Sequence, residues 1–477
     1  MSNQKHHGIR QRHSMNHLCN PSSYEYEREG RFGRLFRSKH HAVPLYSNPQ
    51  ALIELGKKGG IMDSQGVKEL TNTVPLGMIF LGQFIDHDIT FDTQSRFNRV
   101  NAPEEIENFR TPNLDLDSIF GEGPEDEGFL YESNSLKLVT GATNRNIAQA
   151  QNLEREDLAR NGQGKALIGD PRNDENRIIS QLQLLFIRFY NKVYDQVAAA
   201  HPSYPAEEVY EEARLITTWH YQWIVLNEFL PLLVGKNLMS NIMAEGRQWY
   251  QPIDRPYMPV EFSVAAYRFG HSMIPQKLRL QAGGQEHDLF STDIGGGFSK
   301  IENLNQVVHW DQFFDVNGTH QLATKLDTKL SSELLELPFL PAQVPAAEKS
   351  LATRNLRRAN SFLLPSGQTV AKCMQIDPPV VDRVVDAAQD LIRNQNIDLS
   401  SGIPLWFYIL AEGGEIGRDG DPGEGLGPLG GRIVGEVLYG LLELDESSFL
   451  GANRNWVPTL SATGNFTMKD LIDFATA

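Results

Sequence analysis

Cysteine is nearly absent: the 477 residues include two, Cys19 and Cys373. Two are too few for a disulfide framework and show no zinc spacing, so covalent cross-links carry little of the stability. Basic residues are also scarce, 44 Lys and Arg against 60 Asp and Glu, giving a formal charge of −16. That balance argues against nucleic acid or an anionic membrane as main partner, since either rewards a basic face. No run approaches the roughly 20 apolar residues that span a bilayer. The best stretch, Trp223 to Gly235, is short and broken by Asn227, Glu228 and Pro231. A Walker loop, HExxH, GxSxG and CxxC are all missing. Gly425 to Gly430 satisfies GxGxxG, but no strand precedes it and Pro428 sits inside, so it lacks its required context.

What is present describes a globular chain with 40% hydrophobic and 22% charged residues. The N-terminus is polar, with His6, His7, His13 and His17, and lacks the apolar core of a signal peptide. Residues 1–28 are predicted to be a flexible extension ahead of one domain over 29–477; the compartment stays open. Apolar residues recur at helical spacing in 178–200 and 205–230, and further helices are expected at 75–88, 260–274, 380–395, 431–443 and 468–476. The last has Thr467 and Asp470 as an approximate capping box. Strand signals are few: 279–280 with 287–290, and a hairpin around 128–139. The fold class is mainly α, a large single domain with few short strands.

Four segments hold polar groups that a helix interior would not choose for packing. In Gly82-Gln83-Phe84-Ile85-Asp86-His87-Asp88, residues three and four apart share a helix face, so Gln83, Asp86 and His87 point one way. A core histidine beside a capping aspartate would read the same. Gly169-Asp170-Pro171-Arg172-Asn173-Asp174-Glu175-Asn176 puts Arg172 and Glu175 three apart, although acidic residues also suit a helix start. Tyr267-Arg268-Phe269-Gly270-His271 has a glycine inside a helical pattern, which costs about 1 kcal/mol. Close approach of a flat group or tight helix crossing would each explain it. In Thr353-Arg354-Asn355-Leu356-Arg357-Arg358, Asn355 suits a hydrogen bond to a ligated imidazole, or the run is a surface charge cluster.

A fifth segment, Thr111-Pro112-Asn113-Leu114-Asp115-Leu116-Asp117-Ser118, alternates oxygen-bearing residues, placing them on one side of an extended chain. Hard oxygen ligands suit calcium. It is not an EF-hand, since Ser118 and Pro124 stand where that loop needs glycine and glutamate. Asp88 completes the set if the two segments meet.

Together, in this order, the segments resemble the animal heme peroxidase (peroxidase–cyclooxygenase) superfamily, particularly its bacterial members, over about residues 30–450. The resemblance implies heme b and Ca2+ as cofactors. It places the distal histidine at His87, a glutamine of the peroxide region at Gln83 and the catalytic arginine at Arg172. Ester links to the heme fall on Asp86 and Glu175, and Asn176 replaces the methionine that forms a sulfonium link in myeloperoxidase-like members. The proximal iron ligand falls on His271, hydrogen-bonded to Asn355 through its Nδ1–H, with Arg268 near a propionate and Arg358 beside them. The calcium ligands fall on Asp88, Thr111, Asn113 (through its carbonyl), Asp115 and Asp117. LPSGQ at 364–368 matches the bacterial subgroup rather than the animal pattern.

The implied activity is reduction of hydrogen peroxide through a ferryl heme, with oxidation of small donors such as halides, thiocyanate or phenolics. Two other readings belong to the same scaffold. A fatty-acid dioxygenase would place a radical tyrosine three residues before the proximal histidine; that position is Arg268, with Tyr267 rotated by about 100°. A non-catalytic binding protein would be expected to have lost the distal histidine, the arginine or the proximal ligand, and all three are here.

Overall fold

Apolar stripes and aromatic pairs set the helix packing that carries the site. The computed structural model describes residues 30–477 apart from 37–41, 67, 144–149, 254, 296, 394 and 396; the extension expected over 1–28 lies outside them. Helix α1 (Leu76–Ile89) is apolar on most of its circumference and is buried accordingly. Helix α2 (Arg177–Ala200) begins where Asn176 caps Ile179 N, and it packs against α3 (Ala206–Ile224) and α1. Phe84 of α1 stacks on Phe186 of α2 at 4.8 Å and 7°. Tyr221 of α3 closes edge-on against both rings, at 6.2 and 5.7 Å. Such pairs add roughly 0.5–1.5 kcal/mol each beyond area burial, enough to fix how α1 is rotated.

The second half supplies α4 (Leu351–Ser361), α5 (Leu405–Glu415), α6 (Pro428–Leu444) and α7 (Met468–Thr476). α4 and α5 pack together, α5 also meets α6, and α7 returns onto α2. Among the described residues the strands are short and form three two-stranded pairs. Leu70–Pro75 runs antiparallel to Leu322–Thr324, Lys277–Arg279 antiparallel to Glu286–Asp288, and Phe32–Gly33 parallel to Met258–Pro259. The class is mainly α in one domain, as the sequence predicts.

Several elements differ from expectation. The helix expected over 260–274 is a π-turn, Glu261–Ala265, followed by a 3-10 segment, Ala266–Ser272. Ala265 breaks between them at φ −129°, ψ −75°, and Arg268 Nε donates to the Ser263 carbonyl at 2.9 Å. Irregular helix of this kind often marks a functional site. The hairpin around 128–139 reduces to one bridge, Tyr131 to Leu138. α4 and α5 are not anticipated at all. α5 is buried nearly all round, and an apolar run without periodicity carries no helix signal. The capping box of Thr467 and Asp470 is present.

The GxGxxG segment opens α6, and a carboxylate already occupies its backbone donors. Glu412 accepts from Leu429 N and Gly430 N, both at 3.0 Å. Burial pushes the Glu412 carboxyl up to about 7, the two amides opposing. Its folded pKa therefore lies above the ordinary value, and the native state binds the extra proton. Stability from this group is complete below about pH 4.5 and is lost as pH rises through about 7. Glu412→Gln removes that dependence: its melting temperature relative to the parent should rise from pH 5 to pH 8, and a pH-independent difference contradicts the assignment.

Candidate active site

α1 brings a buried imidazole and a buried carboxylate side by side, and neighbouring residues on a helix diverge by about 100°. His87 turns to the 170–175 turn, where its Nδ1 lies 2.7 Å from Asn173 Oδ1. Asp88 turns to the 111–118 loop, accepting from Leu116 N at 3.2 Å and Ser118 Oγ at 3.1 Å. Burial first, then the nearby Arg172 charge, holds His87 below its ordinary pKa. A neutral imidazole with its Nδ1 anchored leaves Nε2 for chemistry. Gln83, one turn earlier, donates to Glu175 Oε1, which lies 3.8 Å from His87 Nε2.

The turn itself is a 3-10 segment, Pro171–Asp174, capped by Asp170. Asp170 is fully buried and receives Arg110 at 2.6 Å and Arg172 at 2.7 Å. Burial opposes its charge, but the two guanidinium groups outweigh it and hold the carboxyl well below the usual range. Arg172 also donates through Nη2 to the carbonyls of His87 at 3.0 Å and Thr90 at 2.6 Å. Its guanidinium lies 4.4 Å from the Phe91 ring centroid. Because Nε and Nη2 carry these bonds, Nη1 is the edge left for a ligand. On the other flank, Arg160 pairs with Asp174 at 2.7 Å and Asp157 at 3.0 Å. Gly297 presses so closely on the turn that a Cβ there would collide with the Glu175 carbonyl.

The 266–272 segment runs along α1. A Cβ on Gly270 would meet only Ile79 Cγ2, at an ordinary 3.4 Å, so tight helix crossing is not what requires glycine there. His271 Nδ1 lies 2.9 Å from Asn355 of α4. Burial and then Arg268 push His271 down to about 3, so this imidazole too is neutral. The pairing matches expectation, but the amide faces the other way. Asn355 presents Nδ2 to the ring because Arg268 Nη1 claims its Oδ1 at 3.4 Å. Accepting from Nδ1–H requires a half-turn of that amide.

Burial, and next the repulsion of Arg358, pushes Arg268 down to about 10, so two cations face one another where an added anion would relieve both. Arg358 meanwhile pairs with Asp92 and donates to Ser95 Oγ at 2.6 Å. Asp86 is half-buried and accepts from Thr90 Oγ1 at 3.1 Å; its charge is felt at both Arg268 and Tyr267. The Tyr267 hydroxyl is buried without a hydrogen-bond partner among the described residues.

In the 111–118 loop, Leu116 adopts a left-handed conformation (φ 58°), which turns its neighbours inward. Carboxylate oxygens of Asp88, Asp115 and Asp117 come within 4.8 Å of one another. Thr111 Oγ1 donates to Asp115 at 2.8 Å, and Asn113 is buried in the same loop. Burial and mutual repulsion drive Asp88 well above its ordinary pKa, with Arg110 at 3.7 Å from Asp117 as a partial counter-charge. A divalent cation fits this donor set and would reverse that shift.

Four contributors escaped sequence reasoning. Arg110 braces Asp170, Asn173 holds His87, and Gln183 of α2 holds Asn173 at 2.7 Å. Lys68, almost wholly buried, donates to the Ser272 carbonyl at 2.6 Å and pairs with Asp327 at 2.7 Å. It thereby ties down the residue after His271. Asn173 stands inside the 169–176 segment without a role that the segment reveals, the other three stand outside every motif, and each of the four is defined by a contact across the fold.

The family model for animal haem peroxidase matches residues 95–379, more than half of the chain. The chain belongs to the animal haem peroxidase family, whose members bind heme. Thyroid peroxidase of Mus musculus is 25% identical over 379 residues, covering 75% of this chain and 40% of that protein. Thyroid peroxidase of Homo sapiens is 32% identical over 290 residues, covering 58% and 30%. The chain thus spans well under half the length of these relatives. Among solved structures, peroxidase A from Dictyostelium discoideum aligns with TM-score 0.62 at 16% identity, covering 93% of this chain and 95% of that one. A fatty acid alpha-dioxygenase from Oryza sativa aligns with TM-score 0.59 at 16% identity, covering 91% and 78%. Both share the fold. No helix among the described residues is long and apolar enough to cross a membrane.

Proposed function

We propose that this chain is a heme-dependent peroxidase, reducing hydrogen peroxide and oxidising small anionic or aromatic donors. One observation carries the reading: two neutral imidazoles on adjacent segments, His87 buried and His271 half-buried, each held at Nδ1 by an asparagine, at 2.7 Å and 2.9 Å. His271 would hold the iron through Nε2 once the Asn355 amide makes its half-turn and accepts from Nδ1–H, which frees the Nε2 lone pair. Arg268 and Arg358 would meet the propionates, which relieves their mutual repulsion. Asp86 and Glu175 are the carboxylates available for ester links, and the open flank of Gly270 suits a flat group. Bound heme b supplies the redox-active iron at which peroxide is reduced.

The protein's own part is proton and charge handling. His87 Nε2 takes a proton from hydrogen peroxide and returns it to the departing oxygen, work for which a neutral imidazole is suited. Arg172 Nη1 stabilises charge that develops as the O–O bond breaks. Its other edge is held by Asp170, so the group is already in place when that charge appears. Gln83, bonded to Glu175, lines the same side.

His87→Leu should keep heme absorption while slowing reaction with peroxide by at least about 10²-fold, the contribution of a general acid–base group. Undiminished peroxide reactivity in that variant removes His87 from the mechanism. Oxygen uptake with a fatty acid, without peroxide, would instead support the dioxygenase reading that Tyr267 and the shared fold allow. If the ester links form, acidified organic solvent should leave the heme on the chain; free extraction would show Asp86 and Glu175 unlinked.

We assign Ca2+ to Asp88, Asp115 and Asp117, with Thr111 and the Asn113 carbonyl completing the site. The ion would tie the loop to the residue next to His87. Chelation should lower the melting temperature and slow the peroxide reaction, and Ca2+ should restore both. A chain indifferent to chelator, and free of calcium by elemental analysis, refutes the assignment.

A further inference from the structure

The polarity of one buried hydrogen-bond chain is fixed by its far end. The Ser118 main-chain carbonyl can only accept, so Gln183 must donate to it through Nε2, at 3.1 Å. That leaves Gln183 Oε1 facing Asn173, and an amide oxygen can only accept. Asn173 therefore donates through Nδ2, at 2.7 Å, and turns Oδ1 to His87. Oδ1 in turn only accepts, so the hydrogen in the 2.7 Å contact belongs to His87 Nδ1. Asn173, Gln183 and Ser118 are all at 0% exposure, so water has no access to compete. The chain also closes on itself, because Ser118 Oγ donates to Asp88, the next residue after His87.

We propose that Asn173 and Gln183 are positioning residues that fix His87 as the Nδ1–H tautomer, leaving the Nε2 lone pair on the side of the ring that faces Glu175. A neutral imidazole otherwise has two tautomers, and the one with hydrogen on Nε2 cannot take a proton from peroxide. Neither amide is asked to touch the substrate; both act through the ring. The inference rests on the reading of His87 as the acid–base group, and it extends that reading to α2, whose residue Gln183 passes the direction set by the Ser118 carbonyl on to Asn173. It also gives a reason for two amides in a place where apolar side chains would pack without any need for partners.

The experiment is 15N-histidine NMR of the purified protein, reduced under carbon monoxide so that any iron is diamagnetic. His87 is assigned by its loss in His87→Leu. The parent should show an unprotonated Nε2 and a protonated Nδ1. Asn173→Asp should preserve this pattern, since a carboxylate also accepts from Nδ1–H. Asn173→Leu and Gln183→Met should each lower the Nδ1–H to Nε2–H ratio by roughly tenfold, the scale of one lost hydrogen bond. Hydrogen on Nε2 in the parent, or a ratio unmoved in both variants, overturns the proposal. If those variants do not fold, the parent spectrum decides alone. The readout needs no turnover, so a protein with the expected tautomer and no peroxidase activity would refute the functional reading and leave this inference intact.

Discussion

Two polar side chains buried side by side on one apolar helix govern how this site is built. His87 and Asp88 cannot be left unsatisfied in the core, since an uncompensated buried polar group costs on the order of 1–3 kcal/mol and a charge more. Their surroundings are shaped around that demand. The 170–175 turn answers His87 through Asn173, and the 111–118 loop answers Asp88 through Leu116 N and Ser118 Oγ. Gln183 then links turn to loop. Removing one partner would leave the others misdirected, so the set is expected to respond as a unit rather than additively.

The same economy is visible in the charges. Asp170 sits between Arg110 and Arg172 and is fully buried; its ionised form is what keeps Arg172 in place. An arginine fixed on one edge by a carboxylate and two main-chain carbonyls meets developing negative charge without first reorganising, which is where electrostatic catalysis gains most. Elsewhere in the site, the Arg358 charge repels the buried Arg268 guanidinium. The fold tolerates that repulsion where an anionic group is proposed to bind, while elsewhere its buried carboxylates, such as Glu412 and Glu261, are spent on capping backbone amides.

Much of this was legible in the sequence because local spacing carried it. Gln83, Asp86 and His87 share a helix whose limits differ from expectation by one residue at each end, and the loop acids converge on Asp88 as anticipated. What stayed hidden was set by contacts far apart in the chain. Arg110 lies 60 residues from Asp170, and nothing near Gln183 distinguishes it from a surface glutamine. The segment holding His271 reads as an ordinary amphipathic helix, yet it is π-turn and 3-10 turn, because Arg268 turns back on Ser263 and Asn355 draws the ring toward α4. The amide orientation of Asn355 depends on a third residue, which no pairwise motif encodes.

The central proposal is that His271 Nε2 would bind the iron and that His87 would not. Resonance Raman spectroscopy of the reduced protein measures this directly through the iron–imidazole stretch. The account predicts that band in the parent and in His87→Leu, its loss in His271→Gly, and its return when imidazole is added to that variant. A band that survives His271→Gly, or vanishes in His87→Leu, would contradict the account.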